Sequence, residues 1–141
     1  MANKELYTVT KVYAAYPIER LIGTVVHPGI AIDVFGAESI HFVGHVDQLT
    51  GGTYSVRIQD SDTLDFTVPH EVDAEHTLGS PMLFTSAAPY AVEHMAYLGN
   101  RRYVRIVITA TEVTEPSSID IIAELGKKHH NPTEGSNLPT G

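Results

Sequence analysis

The sequence predicts an all-β protein: an antiparallel β-sandwich, jelly-roll-like, with an extended N-terminal arm and a polar C-terminal tail. Three observations predict it. About seven or eight short segments rich in β-branched and aromatic residues recur at regular spacing between Gly/Pro turns, the pattern of a sandwich or barrel. Residues 53–60 alternate apolar and polar with period two, as a strand with one solvated face does. Residues 102–110 do the same with the strongest β-formers in the chain.

Taken in order, Leu6 to Tyr16 is aromatic and β-branched and reads as an extended arm or first strand. Pro17 suits the start of one helical turn over Ile18–Ile22. Ile30, Ile32 and Val34 mark a strand that stops at Gly36. Ser39 to Asp47 is another, with Ile40, Phe42, Gly44 and Val46 on one face and His41, Val43 and His45 on the other. Thr50-Gly51-Gly52 supplies the backbone freedom of a tight turn, which predicts a hairpin with a return strand over 53–60. In that return strand Tyr54, Val56 and Ile58 face inward, and Ser55, Arg57 and Gln59 face water. Leu64, Phe66 and Val68 predict a further strand ended by Pro69. His70 to Pro89 is a long connection in which Glu71–Leu78 can form a helical turn. Extended sequence resumes over 91–98, followed by the strong strand with Val104, Ile106, Ile108 and Ala110 on its core face. A last strand runs from Ile119 to Leu125. These elements divide the chain into an arm or first strand (1–16), a β-sandwich (17–125) and a flexible tail (126–141), the tail having almost nothing apolar to bury.

Composition narrows the function. With 141 residues the chain can bury a core, and with no cysteine it has no disulfide, thiolate metal site or thiol nucleophile. Nine Lys and Arg against 17 Asp and Glu leave a net charge of −8. A nucleic-acid binder needs a basic face, so no nucleic-acid partner is expected. The charged start Met1-Ala2-Asn3-Lys4-Glu5 is no secretory leader, and apolar runs such as Leu21–Ile32 are broken too soon to span a bilayer. A soluble protein made in a cytoplasm, without a membrane partner, is the expectation. Protonating the eight histidines would cancel the net charge, which predicts lower solubility near pH 5.5 than at pH 8, measurable by light scattering.

No residue pattern supports catalysis, a cofactor or a metal. His41 and His45 would face one zinc ion from a helix, but on a strand they lie about 13 Å apart at a rise of roughly 3.3 Å per residue. His129-His130 has no fixed third ligand. Asp60, Asp62 and Asp65 lack the calcium-loop spacing and read as turn formers. Leu78-Gly79-Ser80-Pro81 is half of a nucleophile elbow, and no phosphate-binding glycine loop occurs. The protein is therefore expected not to be an enzyme. The outward stripe Arg101, Tyr103 and Arg105 has the residue types that dominate protein–protein contacts. Tyr7, Tyr13 and Tyr16, crowded into the arm, are the second set of candidate partner-binding residues, on the view that the arm buries its aromatics on a neighbour.

Tyr97-Leu98-Gly99-Asn100-Arg101-Arg102-Tyr103-Val104-Arg105-Ile106-Val107-Ile108-Thr109, with a last strand after it, resembles a group of small tailed-phage structural proteins. In that group a Gly-x-Lys/Arg-Arg-Tyr-Val/Ile-Arg strand closes a β domain encoded near the major capsid gene. Ile30–Val34 followed by Phe35-Gly36-Ala37-Glu38-Ser39 is similar to the group's early apolar strand and Gly-x-Glu-Ser element, so the resemblance runs from Ile30 to Leu125. It implies a virion component on the capsid exterior, a decoration or cement protein whose partner is the major capsid protein. Clamping several subunits at once favours a homo-oligomer, a trimer ahead of a dimer. A head-completion or tail-associated connector and a host-surface or carbohydrate-binding module, with Phe84 as its aromatic, are the alternatives.

Overall fold

The computed structural model describes residues 7–79, 81–115 and 117–128. Eleven strands occur there: β1 (Tyr7–Arg20), β2 (Gly23–Pro28), β3 (Ile32–Asp33), β4 (Ser39–Asp47), β5 (Thr53–Ser61), β6 (His70–Glu71), β7 (Thr77–Leu78), β8 (Met82–Thr85), β9 (Val92–Tyr97), β10 (Tyr103–Val113) and β11 (Ser118–Lys128). A single 3₁₀ turn, Ala74–His76, is capped by the Asp73 carboxylate. One sheet has the order β1-β11-β4-β9-β7; the other runs β2-β10-β5, with β3 beside β10 and both β6 and β8 beside β5. All pairings are antiparallel. The eight longer strands thus pair as β1-β11-β4-β9 against β2-β10-β5-β8, which is the jelly-roll arrangement.

The core lies between the sheets and follows the predicted alternation. Ile40, Phe42 and Val46 of β4, Tyr54, Val56 and Ile58 of β5, and Val104, Ile106, Ile108 and Ala110 of β10 are all buried. Met82 and Phe84 of β8 complete the layer. The buried Tyr54 hydroxyl has partners at 3.0 Å in the Leu21 carbonyl and 2.8 Å in Ser117 Oγ, so one phenol ties together the β1–β2 and β10–β11 connections.

Several expected elements differ. The hairpin over Thr50-Gly51-Gly52 does not form, because β4 and β5 belong to different sheets. The link crosses the core instead, with Leu49 buried and its N–H on the Pro89 carbonyl at 3.2 Å. Gln48 (φ 61°) and Gly52 (φ 81°) take the left-handed backbone that this crossing requires. Leu64, Phe66 and Val68 form a loop, not a strand. Asp65 accepts the Thr67 N–H at 3.0 Å and the Ser61 hydroxyl bonds the Val68 carbonyl at 3.2 Å, and such local bonds outcompete a ladder. Ile18–Arg20 continue β1 and make no helical turn. Residues 7–16 are therefore the first strand of a sheet, continuous through residue 17, and β11 runs past Leu125 to Lys128. Residues 129–141, with His129 and His130, lie outside the described residues. Gln59, assigned to water, is covered at 9% exposed, and Val107, on the face of β10 opposite Ile106 and Ile108, is 2% exposed with Pro28 and Arg57 beside it in the register.

Candidate functional site

Three connections meet at one end of the sandwich: residues 34–38 after β3, 62–69 after β5 and 98–102 after β9. Arg101 organises their inner part. Its backbone N–H donates to the Tyr97 hydroxyl at 3.0 Å, its Nε lies 3.3 Å from Asp60 Oδ1, and its Nη1 donates to Asp62 Oδ2 at 2.7 Å. Tyr97 in turn donates to Asp60 Oδ2 at 2.6 Å. Tyr97 stands on one sheet and Asp60 on the other, so this buried carboxylate latches the two layers together. Burial first, and the Asp60 hydrogen bond second, push the Tyr97 phenol far above its usual range. The latch depends on Gly99, where a Cβ would come within 2.4 Å of the Tyr97 hydroxyl.

Arg102 builds the outer part. Its Nε and Nη2 donate to the two Asp33 oxygens at 3.0 and 2.9 Å, a bidentate fork, and the Phe35 N–H donates to Asp33 Oδ1 at 3.0 Å. The Arg102 hydrogen bond and then the Phe35 N–H hold the Asp33 carboxyl below the usual carboxylate range. The guanidinium lies 5.1 Å from the Phe35 ring centre and 5.2 Å from that of Tyr103, both within cation–π reach. Phe35 is nonetheless 79% exposed. An aromatic ring is thus presented to solvent beside a guanidinium held in a bidentate pair with Asp33.

Arg105 completes the surface on the outer face of the second sheet. Its Nε donates to Gln59 Oε1 at 3.0 Å, and its guanidinium lies 4.3 Å from the centre of the Phe66 ring. Gln59 donates to Glu71, which also accepts Arg57 Nε at 2.9 Å. Arg57 reaches Thr109 Oγ1 at 3.0 Å. Arg101, Tyr103 and Arg105 therefore sit in one region, joined by Arg102, Phe35 and Asp33, which sequence reasoning missed. An apolar ring in a turn two residues after an aspartate was the one signal for them.

The arm tyrosines lie elsewhere. Tyr16 is 3% exposed inside the core, so the arm buries this aromatic in its own sandwich rather than on a neighbour. Tyr13 is partly buried against the same core, and the Tyr7 side chain lies outside the described residues. Phe84 is fully buried and offers nothing to a sugar ring.

His41 and His45 point outward from β4, 4.0 Å from Glu124 and 3.6 Å from Asp120 respectively, and the His41 ring meets His94 edge to face. Among the described residues no three His, Cys, Asp or Glu side chains are placed to hold a metal ion. Of the acidic trio, Asp60 and Asp62 serve Arg101 and Asp65 bonds Thr67. A polar cleft of about 350 Å³ opens beside Arg101 between Asp60, Glu71, Asp73 and Asn100. No helix among the described residues is long and apolar enough to cross a membrane.

No protein-family model matches the chain, and no curated protein matches it at a significant level. Among solved structures, the crystal structure of the PBSX exported protein XepA superposes with a TM-score of 0.59 at 13% identity. The match covers 92% of this chain and 41% of that one, so the chain spans less than half the length of this neighbour. At that identity the likeness is one of fold.

Proposed function

We propose that this protein is a phage virion component, a capsid decoration protein that binds the outside of the head and bridges neighbouring subunits of the major capsid protein. The observation that carries the reading is the Phe35–Arg102–Tyr103 stack, pinned by Asp33. Exposed aromatic and arginine side chains held rigid before contact are what protein interfaces use as anchors, because little side-chain freedom is left to lose on binding. Leu64, Val68 and Leu98, exposed on the neighbouring loops, supply apolar area around the anchor. The net charge of −8 suits a protein that faces away from packaged DNA. The fold likeness to the PBSX exported protein supports a phage-associated role.

Binding to purified heads tests the proposal. The intact chain is expected to co-sediment with heads, and Phe35→Ser to bind more weakly by about tenfold, the loss of one anchor. Equal binding by the two, or none by the intact chain, overturns it. That the structural neighbour is an exported protein favours a second reading, a phage-associated β module that acts away from the particle. Finding the chain in the cell-free fraction and not on particles would select that reading.

A further inference from the structure

The two flanks of the sandwich differ in the edges they present. On one flank the two-residue β7 ends one sheet and the two-residue β6 and four-residue β8 end the other, and Glu71, Asp73 and Glu75 make that side acidic. On the other flank stand β2 and the 14-residue β1. Among the described residues β1 has β11 on one side and no strand on the other. Soluble proteins guard such edges with prolines, lysines, bulges or covering loops, because an open row of N–H and C=O groups invites another strand.

The second half of β1 is guarded. Pro17 lacks an N–H, and the Ala15 carbonyl accepts the Ile30 N–H at 3.0 Å. The first half, Tyr7 to Ala14, has one lysine and one register shift near Thr10. Its sequence, Tyr-Thr-Val-Thr-Lys-Val-Tyr-Ala, consists largely of strong β-formers.

Charge and polarity identify the occupant. In a chain of net −8, two copies repel over most of their surface, yet residues 7–18 carry Lys11 as their sole charge. Exposed apolar side chains gather on the same flank: Val12, Ile22, Val26 and Ile30. An antiparallel pairing of a strand with itself is self-complementary, since the N–H and C=O of residue i meet the C=O and N–H of residue j, and j meets i in the same way across the twofold axis.

We infer that the Tyr7–Ala14 edge of β1 pairs with the same edge of a second copy, antiparallel about a twofold axis, so that the two five-stranded sheets run on as one. The pairing closes at two copies. It differs from the trimer favoured by sequence, and it stands whether or not the molecule decorates a capsid.

The absence of native cysteine makes the test direct. Light scattering on the full chain is expected to give twice the chain mass, and Val12→Lys, which sets a second positive charge beside Lys11 in both copies, to weaken association by about tenfold or more. Single cysteines placed in turn at Lys11, Val12, Tyr13 and Ala14 are expected to form disulfide-linked dimers in a narrow window around the axis, while Leu83→Cys on β8 stays monomeric under the same oxidation. The cysteine scan carries the test if Val12→Lys does not fold. A monomer at every concentration, a trimer, or crosslinking no stronger in β1 than at Leu83→Cys overturns the inference.

Discussion

The loop end and the β1 flank are both exposed and both carry apolar side chains, but they are built in opposite ways. At the loop end the cations have partners within the molecule: Arg101 pairs with Asp60 and Asp62, Arg102 pairs with Asp33, and Arg105 hydrogen-bonds Gln59. What remains for a partner is a fixed shape with Phe35 at its tip. Along residues 7–18 of β1 Lys11 is the sole charge, and backbone hydrogen-bonding groups line the edge. A preorganised end suits a different protein, whereas an open edge suits a second copy of the same strand.

If the loop end is rigid because of its internal latch, breaking the latch should cost the fold the most. Asp60→Ala leaves Arg101 and the Tyr97 hydroxyl without their shared carboxylate, and removing one member of a buried pair typically costs about 3 kcal/mol. Urea unfolding checks this, and a loss within the noise would mean that the latch does not hold the sheets. Gly99→Ala comes next, at about 2 kcal/mol, because the new methyl must displace the Tyr97 ring. Tyr97→Phe should cost about 1–2 kcal/mol, since the phenylalanine fills the same space and only the hydrogen bonds to Asp60 and Arg101 go.

The pH dependence separates the regions further. Asp33, Asp65 and Asp73 are all held below the ordinary value of 3.8, chiefly by hydrogen bonds from Arg102, Thr67 and His76 respectively. Each is ionised more readily in the folded chain than in the unfolded one. The stability they lend is therefore complete above pH 3.8 and is lost as pH falls through their lower folded values. Asp33→Asn should lower stability slightly above pH 3.8, where the Asp33 contribution is complete, and make the acid limb of a stability-against-pH curve shallower below that point. Exposure makes this effect small. At the β1 flank Val26→Ser should change monomer stability by no more than about 0.5 kcal/mol, as exposed positions do. A larger change in unfolding would show that Val26 packs within the sandwich.

The sequence was most informative where burial alternates along one strand. The buried faces of β4, β5 and β10 were legible because period-two patterning says which side of a strand meets the core. It does not say which strand lies alongside. The link over residues 48–52 has the composition of a hairpin and performs a crossover between sheets, a difference that Leu49 reveals only through its burial. Leu64, Phe66 and Val68 alternate as a strand would, but Asp65 and Ser61 close local hydrogen bonds that alternation does not register. That Arg101, Tyr103 and Arg105 lie near one another was legible because they share one continuous segment, but Arg101, expected to face outward, turns inward onto the buried Asp60. Asp33 and Arg102 are 69 residues apart, so the fork between them, and with it the presentation of Phe35, exists only once β3 pairs with β10.

The proposal that the protein works by binding a shell of other proteins is tested most directly by counting its copies on purified particles with quantitative mass spectrometry, for the intact chain and for Phe35→Ser. Decoration predicts a copy number matched to the capsid lattice that falls sharply in the variant. A copy number matched to one ring at a single vertex, or a chain missing from the particle, would contradict it.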